Sequence, residues 1–503
     1  MLPYARYKRE IFGLLLLFLL YFALRLISLT SLPIFTDEAI YLRWAQIALN
    51  DSTWRFISLT DGKQPLFVWA TMVFMKVIDD PLVAGRLVSV VSGFATLIGL
   101  VLLSYELFKN KLVSFITGLI YIVYPFAQVY DRMALMDGMV GTFAVWGLYV
   151  GVFLVRNLRL DTAYTLGFIL GGAALTKSSG FFAAYLLPFT LILFDFKQKK
   201  VWQKLVRWGL LAVFAFAISQ ALYSVLRLSP FFHIIAEKNG TFIYTFQEWI
   251  THPVEFFLPN LKTLLEWFSA YFNIFIIFVL AGFVSKKFRK ENLLLLSYFA
   301  VPFLILALFG KTLYPRHFYF MTLSLIPIAS FGLYNLIMIL KKRTRNDLLA
   351  FLSVPVILAY PFYVSIQFAT NPPNAPIAKS DYGQYVRDWP AGWGVKESIT
   401  YLTENSRDKK IYVFTAGTFG LMPASLELYL NKNPNIVIKG IWPINDGLPK
   451  EIEDASSEGE TYLLFYQPCP ACIDLYGPPW NWPSEKVFQA ERGRLALYKV
   501  IPR

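Results

Sequence analysis

From residue 11 to residue 369 the chain is a succession of long apolar runs separated by short basic clusters, and this alternation constrains its fold more than any other feature. A helix needs about 20 apolar residues to cross roughly 30 Å of hydrocarbon. On that measure spans are expected near residues 11–29, 83–107, 112–129, 138–155, 161–176, 178–196, 205–228, 263–284, 292–309, 317–340 and 348–369. That is about eleven. With this count the clusters Arg6/Lys8/Arg9, Lys109/Lys111, Arg156/Arg159, Lys197/Lys199/Lys200, Lys286/Lys287/Arg289/Lys290 and Lys341/Lys342/Arg343/Arg345 all fall on one side. An excess of lysine and arginine marks the cytoplasmic side. The net charge of +14 therefore reports orientation in a bilayer and not a nucleic-acid partner.

Composition agrees. The chain is 56% hydrophobic and 17% aromatic, with a mean hydropathy of +0.50, well above soluble domains. The first run is longer than a signal core and is followed by no small-residue cleavage site, so it reads as an uncleaved span. The apolar segment 65–78 has only about 14 residues, roughly 21 Å as a helix, and carries Lys76. It is expected to lie along the interface; counting it as a span would move the later basic loops to the other side.

Two external loops are long, 30–81 and 229–260, the second rich in aromatics and holding His233 and His252. From residue 371 the composition changes, with NPPNAP as linker and no apolar run after it. KKIYVFT, NIVIKGIW, TYLLFYQ and RLALYKV read as strands, and 395–402 and 419–430 as helices. The expected architecture is a polytopic α-helical membrane region, residues 1–370, and a small soluble α/β domain, residues 371–503, placed outside the plasma membrane by the span count. Cys469 and Cys472 in QPCPACID read as a local disulfide rather than a redox centre, and one CxxC cannot complete a zinc site.

Charged residues gather at the external ends of the spans. Asp37 and Glu38 in TDEAIY directly follow the first span, Thr36 being a good helix N-cap. Carboxylates in a first turn favour the positive end of the helix dipole, which explains both acids cheaply. Functionally, Asp37 and Tyr41 lie one turn apart on one face and address one substrate, with Glu38 turned to a supporting position. Lys63 in DGKQPL stands at lipid-phosphate depth, where snorkelling is the bland alternative. Arg86 lies near the mouth of the next span, Arg132 and Asp137 flank a hairpin in DRMALMD, and Lys177 and Arg316–His317 occupy later external turns. Arg132 and Asp137 also suit a hairpin-closing ion pair. Taken together, cations at lipid-phosphate depth and a nearby carboxylate fit attack by an acceptor hydroxyl on a sugar carried by a polyprenyl phosphate.

TDEAIY, GKQPLFVW, YDRMALMD and YPRHF, followed by DYGQYVRDWPAGWGVKE, resemble the GT-C glycosyltransferases of the dolichyl-phosphate-mannose protein mannosyltransferase and aminoarabinose transferase (ArnT-like) type. The resemblance covers the membrane region to about residue 400. It implies Asp37 as catalytic base, Lys63 as the contact to lipid phosphate, Arg132 and Asp137 at the second external acidic motif and Arg316 at a late basic position. By their placement alone, Arg86 and Lys177 join the phosphate-binding set, and Glu38, Tyr41 and His317 serve the acceptor or support the site with Asp137. The resemblance implies an inverting transfer to a protein, lipid or glycan hydroxyl without an essential metal. Related families place a divalent cation beside the first acid, and here Asp37, Glu38 and Asp137 would be its ligands. The WWDYG-type motif of oligosaccharyltransferase catalytic subunits is missing, which argues against en-bloc transfer to asparagine. The rival expectation is a transporter or lipid flippase whose charges line a pathway, which calls for inverted repeats that the sequence does not display.

Overall fold

The computed structural model describes residues 8–442, 449–467, 482, 484–489 and 494–501. Cys469 and Cys472 lie outside the described residues. The chain forms two compact units, one of Met1–Leu29, Arg55–Ala70 and Arg86–Ala378, the other of Thr30–Trp54, Thr71–Gly85 and Lys379–Arg503. The second thus holds residues 30–54 and 71–85 in addition to the tail.

Among the described residues six helices are long and apolar enough to cross a bilayer: Pro81–Phe108, Met136–Asn157, Val201–Leu228, Lys286–Phe309, Leu325–Thr344 and Asp347–Thr370. The pair Phe257–Phe272 and Phe275–Val284 meets the same test of length and composition when taken together and is bent by 93° where Asn273 takes φ 33°. This is an integral multi-pass membrane protein, with fewer uninterrupted spans than the hydropathy count. The remaining runs are helical but short or broken. α1 (Lys8–Leu26) has 19 residues and contains Glu10 and Arg25. The run at 112–129 becomes α5 (Lys111–Val123) and α6 (Pro125–Tyr130), because Pro125 cannot donate to the preceding turn. α8 (Leu160–Thr176) has 17 residues. The run at 178–196 is a 3₁₀ turn, one α-turn and the 3₁₀ segment Leu187–Leu193. The last split separates Arg316–Thr322 from Leu325–Thr344. Hydropathy measures how apolar a stretch is and does not register such breaks.

Helix ends follow local chemistry. Asn110 caps α5 by accepting from the Leu112 and Val113 amides at 2.9 and 3.3 Å. Asn346 does the same for Asp347–Thr370 through Leu349. Lys341, Lys342 and Arg343 fill the last turn of Leu325–Thr344, where cations suit the dipole. With no hydrophobic drive between helices in lipid, small residues set close packing. At Gly332 an added Cβ would lie 1.9 Å from the Phe278 carbonyl oxygen. The expected interfacial segment is α3 (Leu66–Phe74), nine residues long and too short to span.

In the second unit β1 (Ile411–Ala416), β2 (Ile436–Ile441), β3 (Glu460–Gln467), β4 (Ser484–Gln489) and β5 (Arg494–Lys499) form one sheet of order β2-β1-β3-β5-β4. β1 runs parallel to β2 and β3, with Ile411 opposite Ile436 and Glu460. β5 runs antiparallel to β3 and β4. All four expected strands are present; β4, mostly exposed and polar, was not expected. Tyr412, Phe414, Leu463 and Ala496 form the core with Ile452 of the Lys450–Glu458 helix. α2 (Thr36–Asn50) belongs to this unit and packs beside Leu421–Leu430, with the Arg43 Nε 2.8 Å from Glu427.

Candidate active site

In the first unit, three separate stretches bring basic side chains around one imidazole. Lys63 leaves the turn after the 3₁₀ helix Ile57–Asp61, where Gly62 at φ 66° sits so close to Ile234 that a Cβ would lie 2.7 Å from its carbonyl oxygen. Lys177 ends α8, and Arg316 and His317 open the Arg316–Thr322 helix, ahead of the spanning helix at Leu325. Loss of solvent around the His317 ring, and then the charges of Lys177, Arg316 and Lys63, hold the imidazole neutral, well below its ordinary value. Phe242 lies between two of these groups: the Lys63 ammonium stands 5.2 Å from its ring centre and the His317 ring meets it edge-on at 5.4 Å. The Arg316 guanidinium lies 4.8 Å from the Tyr314 ring. Cations held on ring faces keep their charge while losing part of their water.

Asp137, in the first turn of α7 (Met136–Asn157), accepts from Lys177 at 2.7 Å. The alternative reading of DRMALMD as a hairpin-closing Arg132–Asp137 pair does not hold, since Asp137 pairs with Lys177. Gln64, almost fully buried, donates to the Ser178 hydroxyl at 2.8 Å. That bond ties the Lys63 turn to the Lys177 turn through the residues next to each lysine. Lys63, Lys177 and Arg316 are all partly open to solvent, so the cluster is accessible as well as positive.

Arg132 and Arg86 are placed differently. Arg132 is 3% exposed and donates to the carbonyls of Leu24, Arg25, Ile27 and Ser28 at 2.7 to 3.1 Å. Arg86 donates to the Leu29 carbonyl at 2.8 Å. Both answer the orphan carbonyls and negative dipole at the end of α1. Asp131, also fully buried, pairs with Arg25 at 3.0 Å and accepts from Tyr121 at 3.0 Å, Tyr319 at 3.3 Å and Tyr21 at 3.4 Å. Gln128 accepts from Arg25 as well. Sequence reasoning missed Arg25, although a single arginine inside an apolar run is itself a signal. It did not single out Ser178 or Phe242 as site residues, because their roles exist only through chain segments distant in sequence, nor Tyr314, although Tyr314 opens YPRHF.

In the second unit Asp37 and Glu38 occupy the first turn of α2. Thr36 is not the N-cap: Phe35 is, and the Thr36 hydroxyl donates to the Pro390 carbonyl at 3.2 Å. Glu38 is fully buried and accepts from the Phe35 amide at 3.0 Å, so it closes the helix start. Asp37 is partly exposed. Tyr41 is 6% exposed and stacks on Trp44 with ring centres 5.7 Å apart. Among the described residues no group of three or more His, Cys, Asp or Glu side chains is gathered as a metal site requires.

Residues 62–223, the stretch holding Lys63, Arg132, Asp137 and Lys177, match the family described as dolichyl-phosphate-mannose-protein mannosyltransferase. Among solved structures, ArnT from Cupriavidus metallidurans in the apo state aligns at a TM-score of 0.57 and 14% identity, covering 98% of both chains. The same protein bound to undecaprenyl phosphate gives 0.55 at 14% identity, again over 98% of each. The archaeal oligosaccharyltransferase AglB from Archaeoglobus fulgidus, in complex with an inhibitory peptide and a dolichol-phosphate, gives 0.55 at 13% identity over 91% of this chain and 69% of its own. No curated protein sequence matches. The likeness read from the sequence motifs is thus met again in the family match over residues 62–223 and in a fold shared with ArnT and AglB.

Proposed function

We propose that the protein is an integral-membrane glycosyltransferase that moves a sugar from a polyprenyl phosphate to a hydroxyl of a protein, lipid or glycan, with inversion, on the extracytoplasmic face. The observation that carries this reading is the gathering of Lys63, Lys177 and Arg316 around His317, with Lys63 and the imidazole both against Phe242 and Lys177 paired with Asp137; Lys63 and Lys177 lie in the stretch that matches the mannosyltransferase family. A partly solvated cluster of cations suits a phosphate anion, and two of the solved relatives hold a polyprenyl-type phosphate. Two cations of the expected set, Arg132 and Arg86, are taken up by carbonyls at the end of α1, so the donor phosphate falls to Lys63, Lys177 and Arg316.

In the reaction the Asp37 carboxylate takes the proton of the acceptor hydroxyl as its oxygen bonds to the anomeric carbon. The bond from that carbon to the phosphate oxygen breaks, and its electron pair leaves with the polyprenyl phosphate. The three cations stabilise the charge gathering there. Asp137 sets the position of the Lys177 ammonium, and His317, kept neutral, is a hydrogen-bonding group for donor or acceptor. One base and one displacement leave no covalent intermediate, which is why the anomeric centre inverts.

The test is transfer of radiolabel in membranes supplied with a panel of polyprenyl-phosphate sugars, comparing wild type with Asp37→Asn and Lys63→Ala. Asp37→Asn is expected to lower kcat by about 10² to 10⁴ with donor affinity retained. Lys63→Ala is expected to weaken binding of polyprenyl phosphate. Label transfer by folded Asp37→Asn at the wild-type rate would overturn the assignment of the base.

A further inference from the structure

The tail motif DYGQYVRDWPAGWG has no place in the chemistry above, yet within the second unit it lies directly on the start of α2. Phe35, the N-cap, meets the Tyr385 ring edge-on at 4.8 Å, and both rings are buried. The Thr36 hydroxyl donates to the Pro390 carbonyl. Gly392, at φ 79°, approaches so closely that a Cβ there would sit 2.0 Å from the Ile34 carbonyl oxygen. Only glycine combines that backbone conformation with that contact.

The same segment is fixed on its other side. Gly394, at φ 89°, abuts β4, where a Cβ would come within 2.6 Å of the Phe488 Cβ. Trp389 packs against Tyr466 of β3 with ring centres 6.2 Å apart, and Trp393 donates to the Val386 carbonyl at 2.6 Å. A second grip holds the flank of α2: Arg43 pairs with Glu427, and Gln46 donates to the Leu428 carbonyl at 3.0 Å.

From this we infer that the tail domain is a positioning device for Asp37, with residues 385–392 and the Leu421–Leu430 helix clamping the helix that carries it. A base is effective only when its position relative to the acceptor proton is closely held, so a segment anchored on the sheet and gripping the first turn of α2 serves catalysis without touching substrate. The residues so assigned are Tyr385, Gly392, Arg43 and Glu427. The assignment rests on the proposed role of Asp37.

The experiment uses the full-length protein in detergent or nanodiscs and has two readouts. The first is kinetic. Tyr385→Leu and Arg43→Glu should lower kcat by about 10²-fold while KM for the donor and binding of undecaprenyl phosphate stay within about twofold. Joining Arg43→Glu to Glu427→Arg should restore most of the lost kcat, which a general loss of folding would not allow. The second is amide hydrogen exchange of residues 35–41, expected to quicken about tenfold in Gly392→Ala and Tyr385→Leu. Unchanged kcat and unchanged exchange in folded variants would overturn the inference, as would a loss confined to donor KM. If wild type transfers no sugar, the functional reading fails and exchange alone decides whether the clamp exists. If Gly392→Ala does not fold, Tyr385→Leu and the charge swap decide.

Discussion

Asp131 shows how much a single residue can decide in a membrane protein. It is fully buried with Arg25, and three tyrosine hydroxyls complete its shell. Gly93 leaves the room: a Cβ there would lie 2.4 Å from the Asp131 carboxyl carbon. Taking two charges out of water is expensive, and the pair persists because Arg25 donates also to Gln128 and to the Ile122 and Tyr121 carbonyls while the tyrosines serve the carboxylate. Removing one partner leaves the other uncompensated. Arg25→Leu should therefore destabilise the first unit by about 3 to 5 kcal/mol, read as a lower melting temperature in detergent. The double variant Arg25→Leu with Asp131→Leu should recover part of that loss. If Arg25→Leu melted like wild type, the pair would not be holding the first helix to the junction at Asp131.

At the scale of elements, glycines mark where helices touch and where they do not. Gly332 presses on Phe278, while Gly209 in the Val201–Ser224 helix has nothing near its Cβ position. Gly332→Ala forces a backbone shift at the crossing of Phe275–Val284 with Leu325–Thr344 and should lower thermal stability by more than about 1 kcal/mol. Gly209→Ala meets no obstacle and should be neutral or stabilising by up to about 1 kcal/mol, because alanine is the better helix former. Melting curves of the two variants in one detergent give the comparison, and equal shifts would contradict the packing described. Elements were also where sequence reading did best. The apolar runs all became helix, the four patterned strands formed, and the basic loops were legible because hydropathy and charge are local properties. What it could not register was continuity, since a proline at 125 or a left-handed residue at 273 breaks a helix without lowering its hydropathy. The candidate site was legible in part. Lys63, Lys177, Arg316 and His317 did come together, whereas Arg132 was drawn to the end of α1 by carbonyls that no sequence pattern displays.

For the molecule as a whole, both units carry exposed and half-buried ion pairs, while the fully buried pair Arg25–Asp131 lies in the first unit. In the sheet unit the triad at Glu460 is where acid should act. Glu460 opens β3, beside β1, and is gripped by Lys409 and by Lys499 at 2.5 Å. Burial raises its pKa, and the hydrogen bonds from Lys409 and Lys499 overcome that effect and hold it down to about 2. A carboxylate whose pKa is lower in the folded state than its ordinary value of about 4.3 contributes stability that is fully present above that value and is lost as pH falls towards the folded one. The sheet should therefore weaken between about pH 4.5 and pH 2. Hydrogen exchange across β1, β3 and β5 should quicken over that window, and Glu460→Gln should remove much of the dependence while leaving neutral-pH exchange slightly faster than wild type. A sheet whose protection fell just as steeply with Glu460→Gln would show that its acid sensitivity comes from other carboxylates.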